Sequence, residues 1–127
     1  MTQEERDLLA IAIAAYYPYG LWCELDDQDE PMMLDSIKYH DTYCFDGVFE
    51  RYITQFKPYL RPMSSMTGEC RTSYDKVLKT VHYADGCFYT PDIFDWLTKH
   101  FFDYRGLIGL GLALEAPEGM YNDNKQI

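Results

Sequence analysis

The first twenty residues have the pattern of a buried helix that is closed at both ends. Thr2 and Glu5 are spaced as a capping box, in which each side chain binds the other residue's main-chain amide. Apolar residues then occupy almost the whole helical circumference, and Pro18-Tyr19-Gly20 ends the pattern. The sequence therefore predicts a helix that begins after Thr2, is buried on several sides and is central to the core.

The next segment alternates between apolar and polar residues as a strand does. Residues 21–25 form one such run, and an acidic stretch, 26–31, separates them from a second run, 32–40. Residues 42–45 are a third candidate strand that ends at Asp46-Gly47, a common turn dipeptide. We therefore expect an antiparallel hairpin with an acidic tip, followed by a third strand.

The apolar spacing changes after this turn. The residues that would share one face of a helix are Val48, Phe49, Tyr52, Ile53 and Phe56. This spacing predicts a short helix, although Asp46-Gly47 could equally open another strand. The following stretch, 57–67, contains two prolines, which predicts an ordered connection over the surface without regular structure.

The second half of the chain predicts two more helices. Residues 69–79 form a modest helix, and residues 80–89 read as a strand or short hairpin around Ala84-Asp85-Gly86. A stronger helix follows, with Thr90 as its cap and Pro91 as its first residue, and we expect it to end between Asp103 and Gly106. The glycines of 106–114 do not match a nucleotide-binding loop, so this apolar segment is expected to pack closely against the core.

These elements predict a single α+β domain. Residues 1–121 would form it, with a small antiparallel sheet from about 20–46 and 80–89, packed by two or three helices. The remaining residues, 122–127, are polar and predict a flexible C-terminal tail. A chain of 127 residues can bury a sufficient core without a metal or disulfides.

Charge and composition narrow the class of partner. The chain has 21 acidic and 11 basic residues, a net charge of −10, so direct nucleic-acid binding is not expected, whereas acidic mimicry of a nucleic acid remains an alternative.

The longest apolar run, 8–17, is about half the length of a membrane span, and the residues before it are net negative, unlike a secretory signal. We therefore expect a cytoplasmic protein that does not bind a membrane.

The cysteines and histidines predict no metal site. Four cysteines lie 17 to 26 residues apart without a C-x-x-C pair, which favours reduced, mostly buried thiols. His40-Asp41 and the pair His82 and Cys87 lack the spacing of metal ligands. Ser64-Ser65 lacks the G-x-S-x-G elbow of a serine nucleophile. We predict no catalytic residue, metal or cofactor; a small hydrolase or metal-dependent enzyme that uses Ser65, His40 or His82 is the rival hypothesis.

Two arginines are the strongest candidates for ligand contact. Arg61 lies between prolines and Arg105 follows Asp103-Tyr104, and an arginine combines a fixed fork of donors with a plane that stacks on aromatic rings. Aromatic residues make up 17% of the chain, and tyrosine suits a binding surface. The alternative is internal, with the arginines paired to Asp103 or Glu115. The candidate binding residues are Tyr59, Arg61, Ser64, Ser65, Asp103, Tyr104 and Arg105.

The same two segments resemble a known family. Residues 57–67, KPYLRPMSSMT, and residues 96–108 and 111–121, which contain DYRGLI and GLALEAPEGMY, look like the signature stretches of a family of small proteins from prophages and mobile elements of gut anaerobes. The resemblance implies a phage-associated origin and supports treating the two arginine segments as a unit, but it carries no activity. We therefore expect a nonenzymatic accessory protein that binds another protein of the phage or host, as a monomer or a small homo-oligomer.

Overall fold

Three helices and one six-stranded sheet make up the part of the chain that the computed structural model describes, residues 1–38, 42–80 and 90–121. The helices are α1 (Gln3–Tyr16), α2 (Gly68–Thr80) and α3 (Thr90–Lys99). The strands are β1 (Trp22–Leu25), β2 (Met32–Lys38), β3 (Thr42–Phe45), β4 (Phe49–Tyr52), β5 (Phe56–Leu60) and β6 (Leu114–Glu115). The sheet order is β4-β3-β2-β1-β5-β6, and every neighbouring pair is antiparallel except β5 and β6. The prediction of a single α+β domain is confirmed.

Helix α1 begins as the sequence predicts. The Thr2 hydroxyl accepts a hydrogen bond from the Glu5 amide at 3.1 Å, and the Glu5 carboxylate accepts one from the Thr2 amide at 2.9 Å. The expectation of burial on several sides is wrong, because α1 buries one face only. Its buried residues join the core of the sheet, whereas Ile11 is 62% exposed on the opposite face.

The predicted β1–β2 hairpin and the third strand are confirmed. β1 pairs antiparallel with β2, and Trp22 lies opposite Met33. β3 then pairs with β2. The turn that follows β3 has positive φ at both Asp46 (52°) and Gly47 (73°), as in type I′ turns.

The helix predicted from Val48 is wrong, because the turn opens another strand. β4 pairs with β3, with Phe49 opposite Phe45. Val48 and Tyr52 are 75% and 57% exposed, so the apolar stripe inferred from their spacing does not exist. A short 3₁₀ turn, Ile53–Gln55, lies between β4 and the strand that follows, and Ile53 and Phe56 are buried in the core. Cross-strand pairing thus overrides the local helical spacing.

The irregular connection predicted over 57–67 is also wrong in its first half. β5 lies between β1 and β6, and Phe56, Pro58 and Leu60 alternate inward along it. A proline weakens a strand because it has no N–H to donate. β6 pairs only with Tyr59 and Leu60, so Pro58 lies outside that ladder and the strand tolerates it. The second half contains only a 3₁₀ turn, Met63–Ser65.

Helix α3 ends earlier than predicted. The Phe101 amide donates to the Thr98 carbonyl at 3.1 Å, and the Phe102 amide donates to the Leu97 carbonyl at 2.9 Å. This pair of bonds is a Schellman motif with Phe101 in its left-handed position, at φ 64°. Because that position usually holds glycine, the sequence pointed instead to Gly106. The turn directs the Phe101 ring into the core and returns the chain towards β5.

Two hydrophobic clusters hold these elements together. The main one joins α1 to the inner face of the sheet and includes Leu107, Leu112 and Ala113, which confirms the packing role of 106–114. The second joins α2 and α3 through Met66, Cys70, Leu97 and Phe102. Helix α2 is confirmed, and it extends to Thr80, the first residue of the segment predicted as a strand or short hairpin. The rest of that segment, 81–89, lies outside the described residues, as do His40, His82, Cys87 and the predicted tail, 122–127. The other three cysteines are buried, as expected.

Candidate functional site

The two arginine segments lie side by side through their main chains. The Arg61 amide donates to the Phe101 carbonyl at 2.8 Å, and the Asp103 amide donates to the Arg61 carbonyl at 2.9 Å. These bonds form a parallel bridge between Arg61 and Phe102 that continues the line of β5. The fold therefore places residues 59–61 next to residues 101–105, far apart in sequence.

Asp103 has an internal role in this arrangement. Its carboxylate accepts hydrogen bonds from the Leu107 amide at 2.8 Å and the Ile108 amide at 2.9 Å, and the residue is 9% exposed. Both carboxylate oxygens are thus used to hold the turn that follows. Among the described residues Asp103 forms no ion pair with Arg61 or Arg105, so the internal pairing considered from sequence is absent there.

Arg61 points towards the cluster between α2 and α3. Its Cζ lies 4.3 Å from the centroid of the Phe102 ring, one Nη donates to the His100 carbonyl at 3.3 Å, and the other lies 3.9 Å from the Cys70 sulfur. Arg61 also borders a groove of about 670 Å³, whose walls include Pro62, Ser65, Glu115 and Tyr121. Arg61 is anchored at both its main chain and its guanidinium group.

The other candidates of the first segment have separate surroundings. The Tyr59 hydroxyl donates to the Glu24 carboxylate at 3.0 Å across the β1–β5 pair. The Ser65 hydroxyl donates to the Pro62 carbonyl at 2.6 Å, which closes the 3₁₀ turn, and Ser64 is exposed beside it. These three residues do not converge with Tyr104 and Arg105.

Arg105 lies against aromatic rings without a carboxylate partner. Its Cζ is 4.6 Å from the Tyr104 centroid and 5.9 Å from the Tyr16 centroid. Its Nη1 is buried and has no hydrogen-bond partner, and no described acid forms an ion pair with it. Burial raises the pKa of the Tyr16 phenol, whose hydroxyl donates to the Phe102 carbonyl. The two rings therefore hold the guanidinium plane, and no acid in the part of the chain that the structure describes compensates its charge.

Arg105 lines a cavity of about 470 Å³ between the end of α1 and the outer face of α3, here called the Arg105 pocket. Its walls include Tyr19, Phe94, Asp95, Thr98, Tyr104 and Arg105. The Phe94 and Tyr104 rings are 5.1 Å apart, and the Tyr104 hydroxyl is 3.1 Å from that of Thr98. Phe94 and Tyr19 are 46% and 43% exposed. The pocket thus combines open aromatic surface with one cation and one exposed carboxylate.

Sequence reasoning missed Tyr19 and Phe94 as members of a site. Phe94 was not singled out within the helix predicted after Thr90, and Tyr19 belonged only to the motif that ends α1. The available signal was helical: Phe94 and Thr98 are four residues apart on α3, so they are neighbours on the helix surface.

Comparison with known proteins adds no relationship. No family model, curated protein or solved structure matches the chain. The site is therefore interpreted from its own chemistry.

The described residues offer little reactive chemistry near these segments. Burial raises the pKa of the Cys23 thiol well above its usual range, which disfavours the nucleophilic thiolate. In residues 1–38, 42–80 and 90–121, no three His, Cys, Asp or Glu residues are grouped to hold a metal ion. Over the same residues, no helix has the length and apolar character of a membrane span.

Proposed function

We propose that this protein is a nonenzymatic module that binds another protein through the Arg105 pocket. The observation that carries the proposal is the pocket itself, where exposed Tyr19 and Phe94 surround Tyr104 and a cation without an acidic partner. Tyrosine and arginine are enriched among the residues that contribute most to protein interfaces, and aromatic side chains in general are enriched there.

The surroundings of the other candidate groups support a binding role over the hydrolytic alternative. The Ser65 hydroxyl is engaged by a main-chain carbonyl, and the Cys23 thiol is buried with a raised pKa. Among the described residues, no base is hydrogen-bonded to either group, as activation of a nucleophile requires.

The acidic hairpin tip gives limited support to nucleic-acid mimicry. Asp27 forms an ion pair with Arg51 at 2.8 Å, which compensates part of the negative charge. The family resemblance of residues 57–67 and 111–121 supports a phage or mobile-element origin and is compatible with an accessory protein that binds a phage or host partner.

The test is affinity capture from a host lysate with five versions of the protein. Wild type and Arg61→Ala are expected to retain the same partner, because Arg61 lies outside the Arg105 pocket. Phe94→Ala and Arg105→Ala are expected to lose it. Val48→Ser is the control, since Val48 is an exposed apolar residue in the turn before the edge strand β4. Circular dichroism establishes that each variant is folded.

Retention of the partner by both Phe94→Ala and Arg105→Ala would refute this surface as the interface. Loss with Val48→Ser alone would place the interface on the edge of the sheet instead.

A further inference from the structure

The charge of Arg105 suggests which chemical group the pocket receives. The chain carries 21 acidic residues, yet no described acid pairs with this half-buried guanidinium, whereas Arg51 and Arg71 each pair with an aspartate. Asp103, the nearest acid in sequence, is fully occupied by the amides of Leu107 and Ile108. The positive charge of Arg105 is therefore not neutralised by any described acid.

The aromatic walls restrict how such a ligand binds. Tyr104 and Tyr16 lie against the guanidinium at 4.6 and 5.9 Å, so they limit its rotation and fix its plane. A guanidinium held in one plane presents paired donors that match the two oxygens of a carboxylate. Phe94 and Tyr19 then provide apolar surface beside that position.

The pocket's other charge excludes a polyanion. Asp95 is exposed on the wall of the same cavity and forms no ion pair with Arg105. It would repel a phosphate backbone or any ligand with several negative charges, and the net charge of −10 acts in the same direction. A ligand with a single negative charge beside an aromatic group satisfies both the cation and the apolar walls.

We propose that the Arg105 pocket binds one carboxylate of a partner protein together with an adjacent aromatic side chain. This inference rests on the proposed function and names the chemistry of the partner. The carboxylate belongs either to a chain terminus or to an aspartate next to the aromatic residue, and the two sources present the same group to Arg105.

The experiment uses the full chain, labelled with ¹⁵N, and three small probes. N-acetylphenylalanine carries a terminal carboxylate, N-acetyl-aspartyl-phenylalaninamide carries a side-chain carboxylate, and N-acetylphenylalaninamide is neutral. We expect the charged probes to shift the amide signals of Thr98, Tyr104 and Arg105 with a Kd of about 1 mM, typical of ligands this small. The neutral probe should bind about ten-fold more weakly, because it lacks the charge-assisted hydrogen bonds.

Three protein variants separate charge from shape. Arg105→Gln should reduce binding of the charged probes to that of the neutral probe, and Arg105→Lys should recover only part of it, because a lysine lacks the planar fork. Arg6→Gln is the matched control, since Arg6 lies in the first turn of α1 and borders a different cavity.

Each outcome has a defined meaning. Preference for one charged probe identifies the source of the carboxylate and supports the inference. A separate titration with inorganic phosphate tests the exclusion of a polyanion. Stronger binding of phosphate, equal binding of the neutral probe, or shifts confined to other surfaces would overturn the inference. If the neutral probe binds this pocket equally, the proposed docking function survives and only the carboxylate recognition fails; the capture experiment with Phe94→Ala decides the docking function independently.

Discussion

The carboxylate of Asp103 is expected to contribute more to stability than any other single acid among the described residues. It accepts two main-chain hydrogen bonds, of which the bond from Leu107 is buried and the bond from Ile108 is partly buried. Through its own amide, Asp103 also ties this turn to Arg61 at the end of β5. The carboxylate therefore organises the turn that carries Leu107 into the core.

The magnitude follows from these two bonds. A hydrogen bond to a charged group contributes about 1.5–3 kcal/mol, and a buried amide that loses its acceptor costs about 1–3 kcal/mol. Because the Ile108 amide can reach water, we expect Asp103→Ala to lower the free energy of unfolding by about 3 kcal/mol. Asp103→Asn keeps one acceptor oxygen but turns an NH₂ group towards the other amide, so we expect a loss of about 2 kcal/mol. Domains of this size have roughly 5–15 kcal/mol in total.

Urea denaturation, followed by the fluorescence of Trp22 and Trp96, measures this loss. These residues lie on β1 and on α3, so a single fluorescence transition that includes both the sheet and the helix would indicate two-state unfolding. Native-state hydrogen exchange adds a local reading, since the Leu107 and Ile108 amides should lose protection in both variants. Asp29→Ala is the control because Asp29 is exposed at the acidic tip and should change stability by less than about 0.5 kcal/mol.

The reasoning would be refuted if Asp103→Ala changed the free energy of unfolding no more than Asp29→Ala does. Unchanged protection of the Leu107 amide would lead to the same conclusion, because the amide would then have another acceptor.

Three further predictions concern other parts of the fold. Tyr121→Phe removes a hydroxyl that donates to the Tyr59 carbonyl at 2.8 Å and accepts from the Trp22 amide at 3.0 Å, and calorimetry should show a loss of about 1–3 kcal/mol. Burial raises the pKa of Tyr16 and Tyr121, so these phenols stay neutral in the fold, whereas unfolded tyrosine ionises near pH 10. The free energy of unfolding is therefore retained below about pH 10 and falls above it, by up to about 1.4 kcal/mol per pH unit for each tyrosine. A pH series of denaturation curves should show a shallower fall for Tyr121→Phe. Gly47→Val, at φ 73°, should destabilise the β3–β4 turn by at least about 1 kcal/mol in urea titrations, whereas an unchanged midpoint would mean that the turn adopts another form.

Short sequence motifs predicted the ends of helices and strands well where the motif has one structural role, such as a helix cap or a tight turn. The capping box at Thr2 and Glu5 and the turn at Asp46-Gly47 both occur as expected, because each depends on groups only a few residues apart. The hairpin of β1 and β2 followed from alternation and a polar tip. These features determined the α+β class without knowledge of distant contacts.

Other features depended on partners far away in sequence. The spacing after Val48 fits a helix, and only pairing with β3 makes residues 49–52 a strand. Pro58 weakens a strand prediction, yet β5 forms because β1 binds it along one side and the short β6 pairs only with Tyr59 and Leu60. In both cases, hydrogen bonds and burial supplied by neighbouring strands outweigh the local preference.

The candidate site shows the same division. Sequence alone determined that Arg105 lies beside the Tyr104 ring, because the two residues are adjacent in the chain, whereas the ring that Arg61 contacts, Phe102, comes from a distant segment. Only the tertiary structure decided that Arg61 is anchored between α2 and α3, while Arg105 lies in a separate pocket with Tyr19 and Phe94. The physical reason is the Schellman turn at Phe101, where burial of the ring offsets an unfavourable φ and thereby sets where the following residues lie.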